Sequence, residues 1–204
     1  MADTSYVGIS VTFRHMQGGA LSVPAEVLQR TGGRPVSSIV YDEATIAERV
    51  QELGMAITQG FPDGELLVLG LLKGSFIFLS DLVRQIRRPL QVDFLVASSY
   101  GKGKVSSGDV KLLYDPETRL EGKHILLVED IIDSGNTLRR LLTLLETRNP
   151  RSLQICALLD KGLMVDPPAA IKYIGFKAPK AFLVGYGLDH AEDFRHLPFI
   201  ADLS

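Results

Sequence analysis

The chain has 204 residues, 46% hydrophobic and 23% charged, which suits one globular domain with or without an appendage. Its 22 Lys+Arg against 24 Asp+Glu leave a formal net charge of -2, which disfavours a protein that lives by coating nucleic acid. The single cysteine, Cys156, excludes a disulfide framework and any multi-cysteine metal site; within the apolar run 153–159 it reads as a buried small hydrophobe.

Residues 1–38 carry Gly18-Gly19, Pro24, Gly32-Gly33, Pro35 and Ser37-Ser38 without a sustained period. They read as an irregular leader holding a short helix at Pro24 to Arg30, ahead of a domain spanning 39–204. An internal start at Met16 stays open as an alternative account of the leader. Residues 1–6 lack the basic-then-apolar pattern of a secretory signal, and the longest apolar stretch, 66–72, is too short for a bilayer. A cytoplasmic protein with no membrane partner is expected.

From Tyr41 the pattern is regular. Asp42 caps a predicted helix with Ile46, Val50, Leu53 and Ile57 on one face, ended by the glycines and proline of 60–64. Residues 66–69 read as a buried strand. A second helix follows Gly70 to Ser75, with Phe76, Leu79, Val83 and Ile86 expected on one face, Arg87 and Arg88 at its C-terminus and Pro89 stopping it. Val92, Phe94 and Val96 alternate as a strand reaching Ser98 and Ser99. The Gly-, Ser- and Lys-rich run 100–108, with Lys102 and Lys104, holds no core residues and is expected to be a mobile loop. Val110 and Leu112 suggest a strand leading out of it. The strongest strand is 125–128, followed by a helix from Thr137 whose Leu138, Leu141, Leu142 and Leu145 face the sheet until Asn149-Pro150. Further strands are expected at Leu153 to Leu159, Ile171 to Phe176 and Phe182 to Val184. This alternation predicts an α/β fold with a mostly parallel twisted sheet flanked by helices, whose ligands bind beyond the carboxyl ends of the strands.

One such strand end carries unusual chemistry. After Ile125 to Val128 come Glu129 and Asp130, two apolar residues, Asp133, and then Ser134-Gly135-Asn136-Thr137-Leu138 opening a helix. Small and hydroxyl residues there present backbone N–H groups at the positive end of a helix dipole, and Gly135 permits close approach, so the turn is a phosphate cradle. Glu129 and Asp130 can accept hydrogen bonds from vicinal hydroxyls such as those of a ribose, and Asp133 would sit above whatever the phosphate carries. Caps and turn formers would explain one of these acids but not the whole run. The Gly-Lys-Ser/Thr ending of a Walker loop is absent.

Six segments now stand in order: Gly70 to Ser75, Val92-Asp93-Phe94 with Ser98 to Gly101, Val128 to Leu138, Leu158-Leu159-Asp160-Lys161, Val184 to Asp189, and Phe194 to Pro198. Together they make the chain from about residue 39 onward resemble the type I phosphoribosyltransferases. The likeness is to the 6-oxopurine branch, the bacterial hypoxanthine (hypoxanthine-guanine) phosphoribosyltransferases. The resemblance implies that family's fold, with a small hood and a flap loop from Ser99 and Tyr100 to Asp109. It implies a purine-salvage pentosyltransferase that moves 5-phosphoribosyl from phosphoribosyl pyrophosphate to hypoxanthine, with guanine as a second base, releasing pyrophosphate.

Residue by residue, it assigns Asp133 as general base toward the purine N7 proton, and Glu129 and Asp130 to the ribose hydroxyls. It assigns Ser134, Gly135, Asn136, Thr137 and Leu138 to the 5′-phosphate, where Asn136 replaces a lysine of some relatives. Lys73, Gly74 and Arg195 fall to pyrophosphate, with a cis peptide bond before Lys73. Lys161 would donate to the purine 6-oxo group, Phe182 would stack on the ring, Leu183 would touch the base, and Asp189 would lie near purine and metal. Mg2+ is implied, held mostly through the substrate with Glu129, Asp130 and Asp189 as protein partners. A homodimer or homotetramer is implied, its contact expected near Phe76 and the 71–75 segment. Two rivals stand against this: a nucleotide-sensing regulator, disfavoured by the charge and the short leader, and a sister enzyme using xanthine or adenine.

Overall fold

The runs 66–69, 125–128 and 155–159 are all but fully buried, as strands covered on both faces must be. Around them the computed structural model describes residues 25–34, 36–99 and 110–203; expectations placed on 1–24, on Tyr100 and on the rest of 100–109 lie outside these. In chain order the elements are α1 (Ala25–Arg30), β1 (Ser38–Tyr41), α2 (Glu43–Gly60), β2 (Leu66–Leu72), α3 (Phe76–Gln85), β3 (Gln91–Ser99), β4 (Val110–Tyr114), β5 (His124–Ile132), α4 (Asn136–Glu146), β6 (Ser152–Asp160), β7 (Ile171–Lys177), β8 (Leu183–Val184) and β9 (Ile200–Asp202).

A six-stranded sheet runs β4-β3-β2-β5-β6-β7. Every neighbour pair in it is parallel except β3 with β4. Alternate residues of β2 go to opposite layers. Leu66 and Val68 pack with α2 and α3, while Leu67 and Leu69 pack with Leu138, Leu141, Leu142 and Leu145 of α4. Each of those buried leucines contributes about 2 kcal/mol of apolar burial. The α/β sandwich and both helix faces on α2 and α4 are as the spacing predicts, and Asp42 caps α2 by accepting from the Thr45 N–H at 2.8 Å. Cys156 is fully buried, which pushes its thiol far up in pKa and makes it inert.

A second, antiparallel sheet β1-β9-β8 forms the hood. Neither β1 nor β9 is among the expected strands. The apolar triplets Ile39-Val40-Tyr41 and Phe199-Ile200-Ala201 were the available signal, but each is too short to show a period. Helix α1 falls within the expected Pro24 to Arg30 stretch. It and the turn after it bury Val27 and Val36 against Val184, Phe194, Leu197, Phe199 and Ala201 of the hood.

Two local expectations, on Phe76 and Arg88, are corrected, and β3 forms as expected. The buried face of α3 is Phe78, Leu79 and Leu82, whereas Phe76 is 43% exposed; a helix opening Phe-Ile-Phe-Leu is apolar all round, so its period does not choose a face. Arg88 serves a neighbouring helix, donating to the carbonyls of Phe61 and Gly64 just beyond the C-terminus of α2. In β3 the alternation marks a strand, but Asp93 and Leu95 are the buried residues, and Val92 and Phe94 stand exposed. Asp93 survives burial because its carboxylate accepts from the N–H groups of Phe94 and Thr118. No helix among the described residues is long and apolar enough to cross a membrane.

Candidate active site

Strands β2 and β5 part company at the carboxyl end of the sheet. Their pairing stops at Gly70↔Val128, while β2 continues along β3 to Leu72↔Val96 and β5 continues along β6 to Ile132↔Asp160. Chain order reverses at this point, which is where an open α/β sheet leaves a crevice. A cleft of about 370 Å³ fills it, lined by the 71–74 loop, the whole run from Glu129 to Leu138, Asp189 and Arg195. The two acids after Val128 therefore do not end the strand as the sequence suggests. They are carried within β5, because Ile131 and Ile132 prolong its ladder with β6.

The cradle has the geometry of an anion site. Helix α4 starts after Gly135, which sits in the left-handed region at φ 74°, and no side chain caps it. The first N–H groups of a helix have no partner within it, so those of Asn136, Thr137 and Leu138 are left to a ligand. A side chain on Gly135 would be strained there, and its Cβ would stand 2.2 Å from the Met164 methyl carbon. Opposite, a Cβ on Gly74 would lie 1.5 Å from an Asp130 carboxylate oxygen. Glycine alone lets the 72–74 backbone close against that acid. The Leu72–Lys73 peptide bond is cis, as the resemblance implies.

Glu129 and Asp130 are adjacent in β5 and interact through their side chains. Burial, and then the neighbouring Asp130 carboxylate, hold the Glu129 carboxyl well above its ordinary range; burial raises Asp130 as well. Glu129 Oε2 is covered and lacks a hydrogen-bond partner, and Asp130 Oδ1 accepts from the adjacent Ile131 N–H at 2.7 Å. Two crowded acceptors, one orphaned, are a site short of donors or of a cation.

Among the described residues, Lys73, Lys161 and Arg195 are each engaged by the protein's own acids. Lys161 Nζ lies 2.8 Å from Asp133 Oδ2, its own N–H held by Ile132 O at the end of β5. Lys73 meets Glu192 at 3.0 Å. Arg195 meets Asp189 at 2.8 Å and Glu192 at 3.4 Å, and donates to Gly187 O at 2.8 Å. Lys73, Gly74, Asp189 and Arg195 thus join the Glu129–Leu138 run in one cleft. Lys161 reaches it only through Asp133. Phe182, half exposed with its ring edge-on to His190 at 5.3 Å, and the buried Leu183 stand in the hood outside the cleft lining. Ser99 pairs with Val110 at the end of β3.

Sequence reasoning missed His190 and Glu192. The latter bridges Lys73 and Arg195, and its only signal was an acid three residues before Arg195.

A crevice at a sheet reversal, with an uncapped helix start and paired acids, defines a class of enzymes that hold a phosphorylated ribose. Residues 37–191 match the phosphoribosyl transferase domain family. The chain is 46% identical to the hypoxanthine phosphoribosyltransferase of Salmonella typhimurium, over 79% of this chain and 92% of that one. It is 48% identical to the hypoxanthine-guanine phosphoribosyltransferase of Dictyostelium discoideum, over 81% and 94%. A solved hypoxanthine-guanine phosphoribosyltransferase from Bacillus anthracis superposes with a TM-score of 0.77 at 42% identity, covering 82% of this chain and 99% of that one. The chain belongs to the phosphoribosyltransferase family, and within it to the hypoxanthine(-guanine) phosphoribosyltransferases of purine salvage.

Proposed function

We propose that the cleft joins phosphoribosyl pyrophosphate to hypoxanthine, and to guanine as a second base. The observation that carries this is the uncapped start of α4 following Asp133 and the Glu129–Asp130 pair within one cleft. The 5′-phosphate sits on the N–H groups of residues 136–138, with Ser134, Gly135 and Thr137 around it. The ribose hydroxyls donate to Glu129 and Asp130, which relieves the orphaned Glu129 oxygen and the crowding of two carboxylates. Lys73, the Gly74 backbone and Arg195 take the diphosphate, displacing the acids that hold the two cations in the free enzyme.

In the reaction the bond from ribose C1′ to the diphosphate oxygen breaks, and the bond from C1′ to the purine nitrogen forms. The diphosphate leaves with the electron pair, and Asp133 accepts the purine N7 proton. The ion pair with Lys161 fixes where that carboxylate points. Lys161 then donates to the purine 6-oxo group, a donor that an adenine amino group would meet badly. Phe182 and Leu183 cover the base from the hood, and Ser99 and Tyr100 begin a flap that keeps water from the cationic ribose.

The donor set also suits Mg2+. Glu129, Asp130 and Asp189 are hard oxygen donors, and the orphaned Glu129 oxygen would gain from a cation nearby. Among the described residues no group of three or more potential ligands is placed to hold a metal by itself, and substrate oxygens would share an ion bound there. Bound there, the ion offsets the charge of the diphosphate. Association of two or four copies through the exposed Phe76, Val92 and Phe94 of the α3 side, in the cytoplasm, completes the proposal.

The test is turnover with phosphoribosyl pyrophosphate across hypoxanthine, guanine, xanthine and adenine. The expected order is hypoxanthine first, guanine next and adenine inactive. Turnover of adenine or xanthine above hypoxanthine would overturn the assignment.

A further inference from the structure

The 189–195 loop, which carries Asp189 and Arg195, is an improbable conformation on its own. Ala191, Glu192 and Phe194 all lie in the left-handed region, at φ 52°, 68° and 72°. Side chains other than glycine rarely stay there unless their surroundings over-determine them. Within the loop the constraint is thin: His190 and Asp193 exchange backbone hydrogen bonds of 3.2 and 3.1 Å, and Asp189 accepts from the Glu192 N–H.

Outside it, the Tyr186 and Gly187 N–H groups donate to the Leu197 and Arg195 carbonyls, Lys73 meets Glu192, and further support comes from the other end of the chain. Arg34 meets Asp193 at 2.5 Å and lays its guanidinium 4.2 Å from the centre of the Phe194 ring. Phe194 itself is 1% exposed, packed with Val27, Val36 and Leu197. His196 Nε2 lies 3.0 Å from the Arg30 carbonyl. Arg34 is held in turn: its Nε donates to Thr31 O, and the buried Thr31 hydroxyl donates to Arg34 O at 2.7 Å. A planar, always charged group that pairs with Asp193 and covers Phe194 fixes both side chains at once, the second of them on a residue in the left-handed region.

We propose that residues 25–34 are a brace for the 189–197 loop, with Arg34 the positioning residue that keeps Asp189 and Arg195 ready for the diphosphate. This rests on the reading of Arg195 as a diphosphate contact. Arg34 is not among the residues that line the cleft. It acts by raising the fraction of the free enzyme whose loop is competent to bind, and the apparent affinity scales with that fraction.

The experiment compares the full chain with Arg34→Ala, Arg34→Lys, Asp193→Ala and the Arg34→Ala/Asp193→Ala double variant. It reads amide hydrogen exchange of 189–197 and steady-state constants with phosphoribosyl pyrophosphate. Arg34→Ala should speed exchange of the Asp193 and Phe194 amides. It should also raise KM for phosphoribosyl pyrophosphate by about threefold to tenfold, with kcat within about twofold, the scale of an exposed ion pair plus a cation–π contact. Asp193→Ala should do much the same, the double variant little more than either, and Arg34→Lys should recover part of the loss. Unchanged exchange and KM, or a lower melting temperature with KM unchanged, overturns the brace. Arg195→Ala separates the two claims: if it leaves KM untouched while Arg34→Ala still speeds exchange, the Arg195 assignment is what has failed.

Discussion

The two walls of the cleft are built on opposite plans. The β5–α4 wall is continuous in sequence and rests on fully buried strands and four leucines of α4, and it offers backbone N–H groups fixed by the helix itself. The opposite wall joins Lys73, from the end of β2, to Asp189, Glu192 and Arg195 of one hood loop, sets four non-glycine residues between 186 and 194 at positive φ, and is held in part by ion pairs. The first wall is preorganised by the core and the second by its own charges. The 5′-phosphate, which does not react, suits the rigid wall. In the proposed binding mode the diphosphate, which must leave, meets the wall whose cations Lys73 and Arg195 already have other partners.

The largest effect expected is on the rigid wall's reacting group. Asp133→Asn should lower kcat by about 10²- to 10⁴-fold while binding of phosphoribosyl pyrophosphate, read by calorimetry, barely changes. Parallel losses in both would remove its role as base. Next comes Lys161→Ala, which should cost about ten- to a hundredfold in kcat/KM with hypoxanthine, the value of one charged hydrogen bond. A purine profile that drops evenly would mean that Lys161 serves only to orient Asp133.

Stability should reveal the cost of the paired acids. Glu129 is raised by burial and then by Asp130, so just above the ordinary carboxylate range the folded free enzyme binds more protons than the unfolded chain. That contribution is fully present below the ordinary value and is lost as pH rises through the raised one. Glu129→Gln should therefore melt above the parent at neutral pH, with the gap closing as pH falls, while phosphoribosyl pyrophosphate binds less tightly. A gap that widens on acidification would contradict the assignment. The smallest effect is on the charged wall. Glu192→Gln should tighten pyrophosphate binding by about twofold to fivefold, because one exposed carboxylate no longer competes for Lys73 and Arg195.

The same contrast decides what could be read from the residues. The β5–α4 wall was legible, since a buried apolar strand, three acids, a small-residue turn and a leucine-faced helix are local features with fixed periods. Only its strand end was misplaced, because Glu129 and Asp130 look like a stop when pairing with β6 carries them onward. The hood was legible only in part, in the strand at Phe182 to Val184 and the short helix packed on it. Its strands β1 and β9 have four and three residues, too few for a pattern, and they pair across almost the whole chain. Glu192 and Arg34 carry no local signal; each matters through a partner that sequence distance hides, as Arg34 with Asp193 does. On α3 only Phe76 falls off the expected face, because the helix opens on four apolar residues in a row, while Leu79 and Ile86 are buried as expected.

The claim that phosphate and diphosphate are held by independent walls is tested most directly by titrating ribose 5-phosphate into two variants by calorimetry. Gly135→Ala, which forces a side chain into a left-handed position against Met164, should weaken ribose 5-phosphate by about tenfold. Arg195→Ala should leave that affinity within about twofold and weaken pyrophosphate instead. Equal losses of ribose 5-phosphate in both variants, or a loss confined to Arg195→Ala, would contradict it.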